Sequence, residues 1–189
     1  MNRLAILAVL LFQFLTIHAA EPASFTNNAR LSQLFEEDQD DRRGFPNTKL
    51  SYKEINVRDE ARRNEVLAML KRVELRTAQD YLYAAVIFNH GQTFEHYRMS
   101  TSLAWIAHEL EPENTTYAWQ TAASWDRMML RKNRPQWYGV QTRRDEKSNL
   151  VLQDLDESAV SDAERAMYNV KPLEELKKSP GSSPITPLP

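Results

Sequence analysis

Asp126 is the residue whose surroundings are hardest to reconcile with an inert surface. On a helix its neighbours three and four positions away are Ala122, Ala123, Met129 and Leu130, so its carboxylate points along an apolar face. A carboxylate there must be paired or protonated. It is then either an acid or ligand-binding group with a displaced pKa, or a buried tie that holds a loop or meets an arginine. Eight residues on, Arg134-Pro135-Gln136-Trp137-Tyr138-Gly139-Val140-Gln141 sets two amides and two aromatics around a glycine. Amides orient a polar ligand while aromatics cover it, which suits a pocket. The same amides could equally satisfy backbone groups at a helix end.

Two further clusters join them. In Asp38-Gln39-Asp40-Asp41-Arg42, Asp38 and Arg42 stand four apart, an ion-pair spacing on a helix with the favourable acid-first order. The run is either a solvated face or a source of a carboxylate and an amide, Gln39, directed at the same interior as Asp126. Two carboxylates in one cleft, roughly 5 to 10 Å apart, would support glycan hydrolysis. His90, His96 and His108 follow the first twenty residues, but a helix end, a helix start and a mid-helix position match no known zinc-ligand spacing. No metal and no cofactor is therefore expected. His90, before Gly91, suits a helix C-terminus. There is no cysteine, no G-x-S-x-G elbow and no P-loop, and Asn114-Thr115-Thr116 fits an N-glycosylation acceptor.

The elements that position these residues read as helices. Ala29–Arg42 places Leu31, Leu34 and Phe35 at helical spacing, with Gly44-Phe45-Pro46 closing it. After a polar connection from Asn47 to Ile55, residues 57 to 75 put Val66, Met69, Leu70 and Val73 on one stripe. Thr77 reads as an N-cap before Tyr81 to His90, with Asp80 as a weak capping box. Phe94 to Leu110 carries Met99, Leu103, Ile106 and Leu110 on one face, and Pro112 stops it. Thr115 or Thr116 caps a helix through Trp119, Ala122, Trp125 and Met129 that Pro135 ends. RRDEKSN reads as exposed, LVLQDL as a short strand or extended segment, and Ser161 with Glu164 as the capping box of a last short helix. Short Gly- or Pro-marked turns predict an all-α fold of stacked antiparallel αα-hairpins, with a short extended segment and a short helix at the C-terminal end. No internal repeat is evident.

Residues 1–20, MNRLAILAVLLFQFLTIHAA, show the charged, apolar and small-residue succession of a signal peptide, too short for a membrane span. The expectation is export to the periplasm or beyond the cell, with no membrane span once the segment is removed. Removal leaves 23 basic side chains against 26 acidic, which argues against nucleic acid. Without cysteine the fold rests on its core. One helical domain is expected over 25–176, followed by a disordered Pro/Ser-rich tail over 177–189.

Taken together, several stretches resemble one family. Asp38, Gln39 and Arg42 match a D-Q-x-x-R opening, "DYLYAAVIFNHG" (80–91) an A-A-x-x-F-x-H-G segment, and "AASWDRMMLRKNRPQWYGVQ" (122–141) a D-R stretch followed by P-Q-x-Y-G-x-Q. "DAERAMYNVKPLEEL" (162–176) is similar to the closing arginine helix. The family is an uncharacterised one of bacterial, often exported, helical proteins with no assigned activity. The resemblance nominates Asp38, Gln39, Arg42, His90, Asp126, Arg127, Gln136, Gly139, Gln141 and Arg165. This chain departs from it at Asn89, where glutamine is usual, and at Val140, where threonine is expected.

Three functional expectations follow. The first is a module binding a protein partner or small polar ligand in a pocket built by the first helix, the His90 turn and segment 126–141, with Gln39, Arg42, Arg127, Gln136, Tyr138 and Gln141 as binding residues. The second is a cell-envelope hydrolase using Asp126, His90 and Asp38 in acid-base roles. The third is a purely structural helical module, in which every motif residue bonds within the chain and no cavity exists.

Overall fold

A computed structural model of the chain describes residues 25–43 and 50–181. The expected signal peptide, the Gly44-Phe45-Pro46 stop and residues 182–189 of the expected tail lie outside them. The described residues form seven helices and one short hairpin: α1 (Ala29–Arg42), α2 (Tyr52–Lys71), α3 (Ala78–Asn89), α4 (Phe94–Leu110), α5 (Thr115–Arg131), β1 (Thr142–Arg144), β2 (Leu150–Leu152), α6 (Asp162–Met167) and α7 (Leu173–Lys178). The fold is all-α, and no helix among the described residues is long and apolar enough to cross a membrane.

Helix α3 is the centre. It packs most closely on α4 and also meets α1, α2 and α5, while α4 packs along α5. Ala84, Ala85, Ala104, Ala107, Ala122 and Ala123 are buried and permit this close approach. Where the three helices meet, Ser100 Oγ donates to the Ala85 carbonyl at 2.7 Å and lies 2.8 Å from Ser124 Oγ, so small hydroxyls replace bulk without leaving bare polar atoms. Leu31, Leu34 and Phe35 from α1 and Val66 and Met69 from α2 close the core around Leu82, Ile87 and Phe88. Buried Asp80 does more than cap α3. Its carboxylate accepts from the backbone N–H of Arg76 and Thr77 and also of Asn28, tying the start of α1 to the start of α3.

Several boundaries differ from the expected ones, each for a local reason. Helix α2 begins at Tyr52 because Ser51 and Glu54 form a reciprocal capping box. It ends at Lys71, and Val73 takes a left-handed φ of 56°, so Val73 leaves the buried stripe and is exposed. Asn114, not a threonine, caps α5 by accepting from Thr116 N–H. The buried face of α4 is Ser100, Leu103, Ala104 and Ala107, one step round from the expected stripe, which leaves Ile106 and Leu110 exposed. Thr142–Arg144 pairs antiparallel with Leu150–Leu152 around a turn in which Asp145 accepts from Lys147 and Asn149 N–H. Lys177 and Lys178 finish α7, a helix that reading the sequence did not anticipate.

Candidate functional site

The apolar stripes of α1 and α2 both turn charged toward one end. On α1 the succession Leu31, Leu34, Asp38, Asp41 stays buried, and on α2 so does Asp59, Arg62, Val66, Met69. The charged ends meet. Arg42 pairs with Asp38 Oδ1 at 3.0 Å and Asp59 Oδ2 at 2.5 Å; Arg62 pairs with Asp41 at 2.8 Å and Asp59 at 2.7 Å; Arg58 pairs with Asp41 at 2.8 Å. Three carboxylates therefore balance three guanidiniums. Gln39 donates its amide to Asp38 Oδ2 at 2.8 Å.

His90, at the C-cap of α3, completes this network. Its Nδ1 lies 3.1 and 2.9 Å from the two oxygens of Asp38. Burial alone would raise the Asp38 carboxyl, but the His90 hydrogen bond and the charges of His90, Arg42 and Arg62 outweigh it and hold the group below the usual carboxylate range. An ionised Asp38 accepts a proton from His90 Nδ1, which fixes the orientation of the ring. Gly91 makes the turn after it possible. A Cβ there would lie 2.3 Å from the His96 Cβ.

Beside this network is a cleft of about 380 Å³ lined by residues from α1, α2, the end of α3, α4 and α5, among them Arg42, Asn56, Asn89, His90, Tyr97 and Arg127. Arg127 donates Nη1 to the Asn89 carbonyl at 2.8 Å and two weaker bonds, from Nε and Nη2, to Gln141 Oε1 at 3.4 and 3.3 Å. Among the described residues it has no carboxylate partner. Burial lowers its pKa, and the nearby Arg42 charge adds to that. The Asn89 carbonyl at a helix C-terminus supplies only part of a compensating charge. Asn89 is itself 8 % exposed, and its Oδ1 is buried with no hydrogen-bond partner among the described residues.

Asp126 faces elsewhere. Fully buried, its Oδ1 accepts from Trp137 and Tyr138 N–H at 2.8 and 2.9 Å, and its Oδ2 from Gly139 and Val140 N–H at 2.9 and 3.0 Å. Burial pushes this carboxyl above its ordinary value against the pull of the four N–H groups. From the other side, buried Arg165 donates to the carbonyls of Trp137, Tyr138 and Val160. Gln136 is enclosed, donating to the Gln141 and Gln153 carbonyls and accepting from Gln141 N–H. Gly139 allows the sharp path, at φ +88°. The loop is thus clamped by an anion on its donors and a cation on its acceptors.

The expected site residues therefore divide. Asp38, Gln39, Arg42, His90 and Arg127 gather at or directly behind the cleft, whereas Asp126, Gln136, Tyr138 and Arg165 build the loop clamp and none of them lines it. Tyr138 packs edge-on against Tyr168. Gln141 bridges the two, donating to the Ala123 carbonyl while accepting from Arg127. Placing Gln136, Tyr138 and Gln141 in the pocket needs correction, because none of them lines the cleft: Gln136 is spent on backbone groups of its own loop and of Gln153, Gln141 on the Ala123 carbonyl and the Arg127 guanidinium, and Tyr138 packs on Tyr168. Neither expected carboxylate is open, since both oxygens of Asp38 and of Asp126 are engaged. His96 accepts from Gln92 N–H and His108 lies against Tyr168, so the histidines do not converge. Sequence reasoning missed Asn56, Asp59, Asn89 and Tyr97. For Asp59 the signal was present, because it extends the Arg62–Val66–Met69 stripe by one turn.

No family model, no curated protein and no solved structure matches the chain.

Proposed function

We propose that the protein is a binding module whose cleft beside the Asp38–His90 pair holds a small polar ligand. The single observation that carries this reading is the cleft wall formed by Arg127 and Asn89. Among the described residues Arg127 has no carboxylate partner, and Asn89, whose carbonyl it bonds, has a buried amide oxygen with no hydrogen-bond partner; both residues line the cavity. Buried polar groups in folded chains are nearly always satisfied, and those that are not mark a strained or functional place. The clamp supports the same reading at one remove. It fixes Gln141, and Gln141 fixes Arg127. We also propose, on the sequence of residues 1–20, that the module acts outside the cytoplasm, and on its motifs, that it belongs to the uncharacterised exported family it resembles.

The test is a thermal-shift screen of polar metabolites on the full chain beside Asn56→Trp. Asn56 lies on the half-exposed side of α2 and lines the cleft, so tryptophan there fills the space without entering the core. Compounds that stabilise the parent and not Asn56→Trp support the reading. Compounds that stabilise both alike place binding elsewhere and overturn it.

The hydrolase reading keeps one supporting observation, the His90 ring oriented by Asp38 at the edge of the cleft. It lacks an open carboxylate at the expected positions, because Asp38 is engaged in the ion-pair network and Asp126 is closed inside the clamp.

A further inference from the structure

Helix α2 carries two arginines in succession, and a helix turns by about 100° per residue, so Arg62 and Arg63 leave it in different directions. Arg62 enters the carboxylate network. Arg63 goes to the turn after α3, where its Nη1 donates to the His90 carbonyl at 3.4 Å, longer than an ordinary N–H···O bond. That is its one hydrogen bond among the described residues. A guanidinium has five N–H donors, so four remain. Nε is buried without a partner; Nη2 also has none and, unlike Nε, retains accessible surface. The side chain is nevertheless only 6 % exposed. Burial holds the guanidinium below its ordinary pKa despite the pull of Asp59 and Glu60, and both oxygens of Asp59 are already bonded to Arg42 and Arg62. A buried cation without an ion pair is costly, and a folded chain keeps one where another group offsets it.

Arg63 lines a second cavity of about 380 Å³, between α2, the end of α3 and the start of α4. It shares Asn56 with the first cleft. Two opposite charges, Lys53 and Glu60, stand exposed on its rim and cancel. His96 adds no cation, because its Nδ1 accepts from Gln92 N–H and burial holds its pKa down. The net charge of the lining is therefore the single positive charge of Arg63. The amides of Asn56, Asn64 and Gln92 both donate and accept and so set no sign, and Thr93 Oγ is taken by His96 N–H as the cap of α4. Val57, Leu67 and Phe88 supply an apolar wall, with the Phe88 ring edge-on to His96 at 6.3 Å.

This lining selects by charge and by body. A single negative charge neutralises Arg63, whereas a doubly charged phosphate would leave an excess anion in a partly desolvated space. A sugar would leave the apolar wall uncovered. The volume suits a small molecule.

We propose that this second cavity binds a small monocarboxylic acid with an apolar body, its carboxylate on the terminal nitrogens of Arg63 and its body against Leu67 and Phe88. The proposal goes beyond the reading of the first cleft and does not depend on it. Aromatic and short-chain fatty acids share this chemistry, and the probes separate them.

The experiment is isothermal titration of the full chain with benzoate and hexanoate, against benzamide, acetate and phosphate. Benzoate or hexanoate is expected to bind saturably. Benzamide and phosphate should be about tenfold weaker or more for want of a matched charge, and acetate likewise for want of apolar area. Preference for benzoate assigns an aromatic acid, and the reverse an aliphatic one. Arg63→Met, which keeps the apolar stem, should weaken the acid by about tenfold or more, while its melting temperature stays level or rises because an unpaired buried charge is gone. Asn64→Trp, at an exposed position bordering the cavity, should weaken the acid without touching the charge. Arg143→Gln, which removes an exposed charge on β1, should change nothing. Because Asn56 borders both cavities, the site is located by amide shifts, which should centre on Asn64, Leu67 and residues 92–96. Benzamide or phosphate binding as tightly as benzoate, acetate as tightly as hexanoate, no binding of either acid, or full binding in folded Arg63→Met or Asn64→Trp would overturn the proposal. So would a clear fall in the melting temperature of Arg63→Met, which would make Arg63 a structural residue, or shifts centred on Arg127 and Gln141, which would place the acid in the first cleft.

Discussion

Replacing Asp126 by asparagine changes one oxygen to an NH₂ group and leaves the shape almost intact, so it isolates what the clamp contributes. Each carboxylate oxygen accepts two backbone N–H groups, and whichever pair faces the new NH₂ loses its acceptor. Hydrogen bonds to a charged group are worth about 1.5–3 kcal/mol each, which gives roughly 3–6 kcal/mol for the pair. Against this, the variant no longer buries a charge, and the raised pKa of Asp126 shows that burial of the charge is penalised. A net loss of about 3 kcal/mol follows. For a domain of this size, 1 kcal/mol corresponds to about 2–4 °C, so the melting temperature should fall by roughly 6–12 °C. Urea unfolding monitored by tryptophan fluorescence is the assay. Trp125 and Trp137, with ring centres 4.8 Å apart beside the loop, report on it directly. An Asp126→Asn protein within about 1 kcal/mol of the parent would refute the clamp, and selective loss of ligand binding at unchanged stability would return Asp126 to the site.

Gly139→Ala should cost about 1–2 kcal/mol, since a side chain is disfavoured at φ +88° and the added Cβ lies 3.1 Å from Leu176; equilibrium unfolding measures it, and an unchanged midpoint refutes it. Gly91→Ala puts a methyl into the stem of His96, so a loss of about 1–3 kcal/mol and a shifted His90 ring resonance are expected in unfolding and NMR experiments. Asp38 supplies the pH prediction. Its folded pKa is held below the ordinary value of about 3.9, so its contribution is present above that value and lost as pH falls through the folded pKa. The stability difference between the parent and Asp38→Asn should therefore shrink below about pH 4 in urea titrations, and a difference independent of pH would refute the assignment.

The helices were readable because their punctuation is local. Thr77 with Asp80 and Ser161 with Glu164 are capping boxes in both sequence and structure, and the bounds of α1 and α4 follow from helical spacing. The same logic would have found the start of α2 had Ser51-Tyr52-Lys53-Glu54 been taken as a cap. What could not be read was pairing across the fold. The Asp126 carboxylate was correctly singled out as unable to sit bare on an apolar face, but its partners are backbone N–H groups that leave no mark in residue types. Asn89 stands at the opposite extreme, since a single amide at a helix end carries no spacing signal and what marks it is an amide oxygen with no hydrogen-bond partner among the described residues. His90 and Asp38 lie 52 residues apart, and only the packing of α1 on α3 brings them together.

The most direct test of the ligand cleft is a map of backbone amide shifts in the full chain on titration with compounds that raise its melting temperature. Shifts centred on Asn56, Asn89, His90, Gly91 and Arg127, absent in Asn56→Trp, with residues 137–140 unmoved, are the predicted result. Shifts centred on the clamped loop, or the same map in Asn56→Trp, would contradict it.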